Sequence, residues 1–147
     1  MKILAFDPGG TTGVVLLDTT SPKIFNAPLT FPQELYQFLG DSVVPGCVDH
    51  IVIEQFRLYS YKAQSKSWSD FPEIRAQGAI EYAAYQAGIV YTLQPPSTAK
   101  QAIQDGLLKE YGFYKGYAAH ERDALRHALT YLLRFAKEEF AQWRSLL

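Results

Sequence analysis

The sequence has little of several features that mark specialised classes of protein. Its 147 residues include one cysteine, Cys47, so an internal disulfide is impossible and a structural role for the thiol is expected. The net charge is −1, which leaves only local patches for contact with nucleic acid. No apolar run reaches membrane-spanning length, and no signal-peptide pattern precedes Asp7. We therefore expect a cytoplasmic protein with no membrane partner.

The overall composition is typical of a folded domain. Hydrophobic residues make up 48% of the chain and charged residues 20%, which argues against disorder. The chain contains no internal repeat, low-complexity tract or linker. A chain of this length can bury a sizeable core, so we expect one domain over residues 1–147.

The first 17 residues contain two apolar runs separated by a glycine-rich turn. Residues 3–6 (ILAF) lead to Asp7, residues 8–13 (PGGTTG) follow, and residues 14–17 (VVLL) form the second run. Short apolar runs on either side of glycines predict a β-hairpin, with Asp7 at the end of its first strand. A carboxylate at this position either binds a cation or hydrogen-bonds the turn, and this stretch alone favours neither role.

Later segments alternate between strand and helix patterns. Residues 23–27 predict a third strand, which makes an antiparallel meander with the hairpin. A strand at 49–54, a helix at 71–86 and a strand at 89–93 form a βαβ unit with parallel strands. The sequence therefore predicts an α/β fold, a five-stranded mixed sheet with helices on both faces. The other predicted helices cover residues 31–39, 98–103 and 119–143, and Asp105-Gly106 is predicted to end the second of them.

The strand at 49–54 ends on Glu54, just as the first strand ends on Asp7. Open sheets place their chemistry at the carboxyl edge, where both acids are expected. The segment that follows, residues 55–68, interleaves aromatic residues with arginine and lysine and contains no acid. Such a segment either contacts nucleic acid, through stacked bases and bound phosphates, or packs its aromatic rings back onto the domain.

A third group of polar residues stands at the start of the last helix. His120 and Asp123 are three residues apart and share one helical face. Singly, each is explained as a surface residue or first-turn acid of a helix. Together with two strand-end carboxylates they predict a divalent-metal site, in which Mg²⁺ takes the oxygens and the imidazole suits Mn²⁺ or a water-orienting role. Glu121 and His127 are expected to be solvated or to lie behind the ligands.

Five short motifs in this order resemble one known family. The chain is similar to the RuvC-type Holliday-junction resolvases of the ribonuclease H-like superfamily from Met1 to about Leu132. The motifs are Phe6-Asp7-Pro8-Gly9, Ile53-Glu54-Gln55-Phe56, Arg75-Ala76-Gln77-Gly78-Ala79, Pro95-Pro96-Ser97-Thr98-Ala99-Lys100-Gln101 and His120-Glu121-Arg122-Asp123-Ala124-Leu125. The chain is shorter than typical bacterial members, as a compact phage or bacterial variant would be.

The resemblance implies a ribonuclease H-like fold and a metal-dependent, structure-selective DNA endonuclease. Such an enzyme resolves four-way junctions by paired nicks, as a homodimer with two Mg²⁺ or Mn²⁺ ions per active site and no organic cofactor. By position, Asp7, Glu54, His120 and Asp123 would be the catalytic metal ligands, and Lys100 would lie near the scissile phosphate. The residues expected to contact nucleic acid are Phe56, Arg57, Tyr59, Lys62, Lys66, Lys100, Lys115 and Arg122.

Three other functions remain open at this point. The chain could be a less selective ribonuclease H-like nuclease that cuts branched DNA or RNA–DNA hybrids. It could also be a junction-binding module without catalytic activity, although acids stand at the positions that the chemistry requires. The third is an actin-like nucleotide hydrolase or regulator, because residues 10–13 (GTTG) are similar to the phosphate loop of the actin-like kinases.

Overall fold

A computed structural model describes residues 1–58 and 70–147 of the chain. Tyr59, Lys62 and Lys66, which were predicted to contact nucleic acid, lie outside the described residues. The elements in chain order are β1 (Lys2–Asp7), β2 (Thr11–Asp18), β3 (Ile24–Thr30), α1 (Gln33–Ser42), β4 (His50–Glu54), α2 (Pro72–Gln86), β5 (Tyr91–Gln94), α3 (Pro96–Ala102), α4 (Asp105–Glu110), α5 (Ala119–Phe135) and α6 (Lys137–Arg144).

The strands form one mixed sheet in the order β3-β2-β1-β4-β5. β1 and β3 are antiparallel to β2, whereas β4 is parallel to both β1 and β5. The predicted meander and parallel pair are confirmed. Phe6 pairs with Ile53, so Asp7 and Glu54 extend from neighbouring strands at the same edge of the sheet. Gln94 pairs with Glu54 and brings the end of β5 to that edge as well.

Apolar side chains cover both faces of the sheet, as predicted for a sheet between two helix layers. Along β1, Ile3 and Ala5 belong to a core that α5 and α6 cover, whereas Leu4 and Phe6 belong to a second core under α1 and α2. This alternation follows from the two-residue repeat of a strand. No helix among residues 1–58 and 70–147 combines the length and apolar character that a membrane crossing needs.

The region after β5 differs from the prediction in two places. Asp105 and Gly106 do not end a helix; they are the first two residues of α4. The predicted helix 119–143 is two helices, because Ala136 leaves the helical conformation with φ −143° and ψ 60°. The break lets Trp143 fold back into the core, where its ring stacks on Phe113 with centroids 5.8 Å apart. Burial of a large aromatic ring offsets the loss of helix continuity.

Several element ends also differ from the prediction. β3 continues to Thr30 through Pro28, which an edge strand tolerates because a proline there need not donate a ladder hydrogen bond. α1 begins at Gln33, two residues later than predicted. β5 begins at Tyr91, and α3 covers Pro96–Ala102.

Candidate functional site

The strand ends place two carboxylates at one edge of the sheet. Asp7 is the last residue of β1 and only 6% exposed, and Glu54 is the last residue of β4 and half-buried. Each follows an apolar run that is buried on both faces of the sheet, so the chain reaches the edge at its first polar residue. Behind Asp7, the Thr12 hydroxyl lies 3.3 Å from both the backbone nitrogen and oxygen of Gly9 and closes the turn.

Gly13 allows the first turn of α5 to pack directly on the sheet. A Cβ atom at this position would lie 2.2 Å from the His120 carbonyl oxygen, which is far inside van der Waals contact. The helix start is also held by Glu121, whose carboxylate accepts a 2.9 Å hydrogen bond from the Ala118 backbone N–H. Glu121 is therefore buried, not solvated. Because Gly13 pairs with Asp7 across the hairpin, this contact brings His120 to the edge where Asp7 lies.

His120 and Asp7 contact each other directly. The half-exposed imidazole places Nδ1 2.7 Å from Asp7 Oδ2. Burial, and then the negative charge of Glu54, raise the pKa of Asp7 from its ordinary 3.8 to about 7. The hydrogen bond and charge of His120 lower this pKa, and the charge of Asp123 raises it further. The pKa of Asp7 thus responds to His120, Glu54 and Asp123, the other three predicted ligands.

Asp123 is held by two cations. Arg126, one turn further along α5, hydrogen-bonds one of its oxygens, and Lys100 Nζ lies 3.5 Å from the other. The Arg126 guanidinium is almost fully buried and also bonds Asp105 and the Ile103 carbonyl oxygen, at 3.1 Å for the latter. A buried guanidinium needs such partners because an unpaired charge is costly there. Arg126 thereby ties the start of α4 to α5.

His127 holds Glu54. Its imidazole is 1% exposed and places Nε2 2.8 Å from Glu54 Oε2 and Nδ1 3.0 Å from Gln94 Oε1. His127 thus lies behind Glu54, one of the two positions expected for it. The sequence offered one signal for these partners: Arg126 and His127 are consecutive polar residues between Leu125 and Ala128, on a helix that otherwise presents apolar residues to the sheet.

An open cleft of about 460 Å³ adjoins Asp123. Arg122 on its wall donates a 2.9 Å hydrogen bond to the Tyr117 carbonyl oxygen and lies 4.5 Å above the centroid of the Tyr114 ring. Lys100, 59% exposed, is a second cation of the same wall. The residues that line the cleft are Lys100, Gln104, Asp105, Ala119, Arg122, Asp123 and Arg126. Two cations beside an acid form a surface to which a phosphate can bind.

The other predicted contact residues occupy two further places. Lys115 lines a hollow of about 300 Å³ together with Lys109, Gly112 and Tyr114. Phe56 and Arg57 line a hollow of about 120 Å³ that reaches Glu54. Phe56 is half-buried: its backbone N–H donates a 2.8 Å hydrogen bond to Gln77 Oε1, and its ring lies against Phe71 with centroids 5.7 Å apart.

The donor atoms suit a hard divalent cation, although each carboxylate here bonds a neighbouring side chain. Within the described residues, no group of three or more histidine, cysteine or acidic side chains is arranged so that it could hold a metal ion. Here the carboxylates of Asp7, Glu54 and Asp123 are bonded to neighbouring side chains instead. Three carboxylates and an imidazole are nonetheless an oxygen-rich donor set of the kind that Mg²⁺ and Mn²⁺ bind. Burial first, and the charge of Glu54 second, raise the pKa of Asp7, and a bound cation would favour the ionised carboxylate against both.

Comparison with known proteins gives a match in structure alone. No family model matches the chain, and no curated protein matches it in sequence. A Thermus thermophilus RuvC in complex with a Holliday junction substrate superimposes with a TM-score of 0.66, over 92% of this chain and 96% of that one. The chain has the RuvC fold. A second Thermus thermophilus RuvC structure gives a TM-score of 0.62 over 94% of this chain and 96% of its own.

Sequence identity to both RuvC structures is 20%. The RuvC fold therefore persists here although four residues in five differ. The predicted ribonuclease H-like architecture and the resemblance to RuvC are confirmed at the level of the fold.

Proposed function

We propose that this chain is a metal-dependent, structure-selective DNA endonuclease that resolves four-way junctions by paired nicks. What supports the proposal is that Asp7 and Glu54 end neighbouring strands at one edge of a RuvC-like sheet, where His120 bonds Asp7 and the charges of Glu54 and Asp123 act on it. The solved RuvC with this fold is itself bound to a Holliday junction substrate, which supports branched DNA as the substrate class. Recombination, repair and phage DNA processing all produce such junctions.

The carboxylates of Asp7, Glu54 and Asp123, with the imidazole of His120, would hold two Mg²⁺ or Mn²⁺ ions. When bound, these ions would polarise the scissile phosphate and lower the pKa of the attacking water. His120 bonds Asp7 through Nδ1, so Nε2 of its half-exposed ring is left either to ligate an ion or, in place of that, to orient the attacking water. The Lys100 ammonium, close to Asp123 and largely exposed, would stabilise charge that develops on the phosphate.

Cations and aromatic rings beside this cluster would bind the DNA. Lys100 and Arg122 line the cleft next to Asp123, and Lys115 lines the hollow beyond Tyr114. DNA phosphates would pair with these cations, and DNA binding would therefore weaken as the salt concentration rises. Local patches of this kind are sufficient even though the chain as a whole has a net charge of −1.

Paired nicks need two active sites, and we propose a homodimer that supplies them. The outer face of α2 exposes Ile74, Tyr82 and Tyr85, the last two by 64% and 75%. Tyr82 also borders an apolar groove of about 530 Å³ between α1 and α2. A second copy packed on this face would bury these rings. Sedimentation of wild type and of Tyr82→Glu tests the interface: wild type is expected to sediment as a dimer and the variant as a monomer.

A nicking assay tests the proposed activity. Wild type is incubated with a mobile four-way junction, a linear duplex and an RNA–DNA hybrid, in Mg²⁺, Mn²⁺ or EDTA. We expect metal-dependent nicking of the junction, at least 100-fold slower for Asp7→Asn, and unchanged for Asp49→Asn, which alters an exposed carboxylate at the opposite end of β4. Equal activity of wild type and Asp7→Asn would contradict the metal mechanism.

The other substrates separate the alternative functions. Comparable cutting of the hybrid and the junction would favour a less selective ribonuclease H-like nuclease. Metal-independent junction binding without any cleavage would favour a binding module that lacks catalysis.

A further inference from the structure

A buried histidine connects the ends of two strands to helix α5. His127 contacts Glu54 at the end of β4 and Gln94 at the end of β5, two residues that pair across the parallel ladder. The same helix carries His120 and Asp123. His127 therefore links the strand part of the acid cluster to its helix part.

The hydrogen bonds of this group determine where its protons lie. A carboxylate only accepts hydrogen bonds, so His127 Nε2 carries the proton that is shared with Glu54. Gln94 is 4% exposed, and its Nε2 finds no hydrogen-bond partner among the described residues. Rotation of the Gln94 side-chain amide by 180° exchanges its oxygen and nitrogen. The amide nitrogen then donates a hydrogen bond to His127 Nδ1, which accepts it. The donors then run in one direction, from Gln94 to His127 to Glu54.

This chain of hydrogen bonds restricts Glu54 strongly. A glutamate side chain has three rotatable bonds and loses considerable entropy when it is held in one orientation. The His127 ring has only two rotatable bonds, is enclosed by the core and is bonded at both nitrogens. The entropy cost of ordering Glu54 is therefore met on folding, before any ligand binds.

We propose that His127 is a positioning residue that, with Gln94 behind it, holds the Glu54 carboxylate in the orientation that binds a divalent cation. This inference rests on the proposed function, because it assumes that Glu54 is a metal ligand. Carboxylates that bind metals are commonly oriented by hydrogen bonds from residues behind them, and removal of such a partner typically weakens metal binding about 10- to 100-fold.

A second buried histidine offers a matched control. His50, at the first position of β4, bonds Thr92 Oγ1 at 2.9 Å and stacks on Tyr131 with ring centroids 4.2 Å apart. Like His127, it is buried and makes a hydrogen bond through its side chain. It lies four residues from Glu54, however, about 13 Å along the strand. Its replacement disturbs the core without touching the acid cluster.

The first test is nuclear magnetic resonance of the imidazole protons in metal-free protein. We expect the His127 Nε2 proton to exchange slowly and to resonate downfield, as a proton bonded to a carboxylate does. We expect Glu54→Gln to move this resonance upfield and to leave that of His50 in place. Absence of a protected Nε2 proton, or a resonance that Glu54→Gln does not move, would overturn the proposal independently of any activity.

The second test measures Mn²⁺ binding by calorimetry without DNA. His127→Gln places an amide nitrogen near the Nε2 position and is expected to bind Mn²⁺ within about threefold of wild type. His127→Asn reaches Gln94 but not Glu54 and is expected to bind at least tenfold more weakly. His50→Asn is expected to match wild type.

The outcomes distinguish this inference from the proposed function. Equal Mn²⁺ binding by His127→Asn and wild type would overturn the positioning role and leave the nuclease proposal intact. Failure of wild type to bind Mn²⁺ and to nick junctions would overturn both. A tenfold loss in His127→Asn that His127→Gln restores supports the positioning role, because both variants lose the ring and only one loses the donor to Glu54.

Discussion

Replacement of Asp7 by asparagine should stabilise the metal-free protein, even though it should abolish activity. Asp7 is buried at the end of β1, close to the charges of Glu54 and Asp123. Both effects disfavour its ionised form and raise its pKa to about 7, although His120 partly compensates. Asparagine has nearly the same shape and no charge, so it removes the desolvation and the repulsion together.

The size of the effect follows from the pKa. One pKa unit corresponds to about 1.4 kcal/mol, so a rise from 3.8 to about 7 costs the ionised folded protein about 4 kcal/mol. Below pH 3.8 both the folded and the unfolded chain hold the proton, and the cost is absent. As the pH rises, the unfolded chain releases the proton first, so the free energy of unfolding falls until about pH 7 and then levels off.

Urea denaturation in EDTA from pH 5 to pH 8 measures this directly. We expect the free energy of unfolding of Asp7→Asn to exceed that of wild type by up to about 4 kcal/mol at pH 8, with a smaller difference at each lower pH. Added Mg²⁺ should raise the free energy of unfolding of wild type at pH 8 and have little effect on that of the variant, because only wild type retains the Asp7 carboxylate. A pH-independent difference, or a variant less stable than wild type at pH 8, would refute the reasoning.

Three further predictions concern the surroundings of Asp7. Gly13→Ala should lower the free energy of unfolding, measured by urea denaturation, by more than about 2 kcal/mol, because its Cβ would lie 2.2 Å from the His120 carbonyl oxygen. Gly106→Ala should leave the free energy of unfolding unchanged or raise it slightly, because its Cβ would meet nothing within 4 Å. Arg126→Met should lower the free energy of unfolding, measured by thermal unfolding, by about 3 kcal/mol or more, because Asp105 and Asp123 lose their buried partner. Unchanged stability would contradict this. Lys100→Ala should slow junction nicking about tenfold or more without weakening Mn²⁺ binding, and a loss confined to metal affinity would exclude its role at the phosphate.

The sheet could be predicted from sequence because its signals are local. Buried strands appear as apolar runs, and the acids that end two of them, Asp7 and Glu54, are visible as the first polar residues after those runs. The parallel pairing followed from the helix between β4 and β5. Together these signals were enough to place both carboxylates at one edge.

The features that the sequence did not reveal depend on tertiary contacts. Asp105-Gly106 is a common turn dipeptide, but Arg126 binds Asp105 and α4 begins there. Ala136 is a strong helix former with no tendency to end a helix, and burial of Trp143 explains the break there.

The partners of His127 were likewise hidden from sequence. Its contact with Glu54 joins residues 73 positions apart and depends on the register between α5 and the sheet. Gly13 sets that register, because its missing side chain leaves room for the His120 backbone.

Diffraction from crystals soaked in Mn²⁺ tests the central claim most directly, because anomalous scattering locates the ion without assumptions about activity. The account predicts anomalous peaks among the carboxylates of Asp7, Glu54 and Asp123, with Asp7 and Asp123 turned from their present partners toward the ion and Glu54 still bonded to His127. Mn²⁺ bound only at other sites, with Asp7 still paired to His120 and Asp123 still paired to Arg126 as they are here, would contradict it.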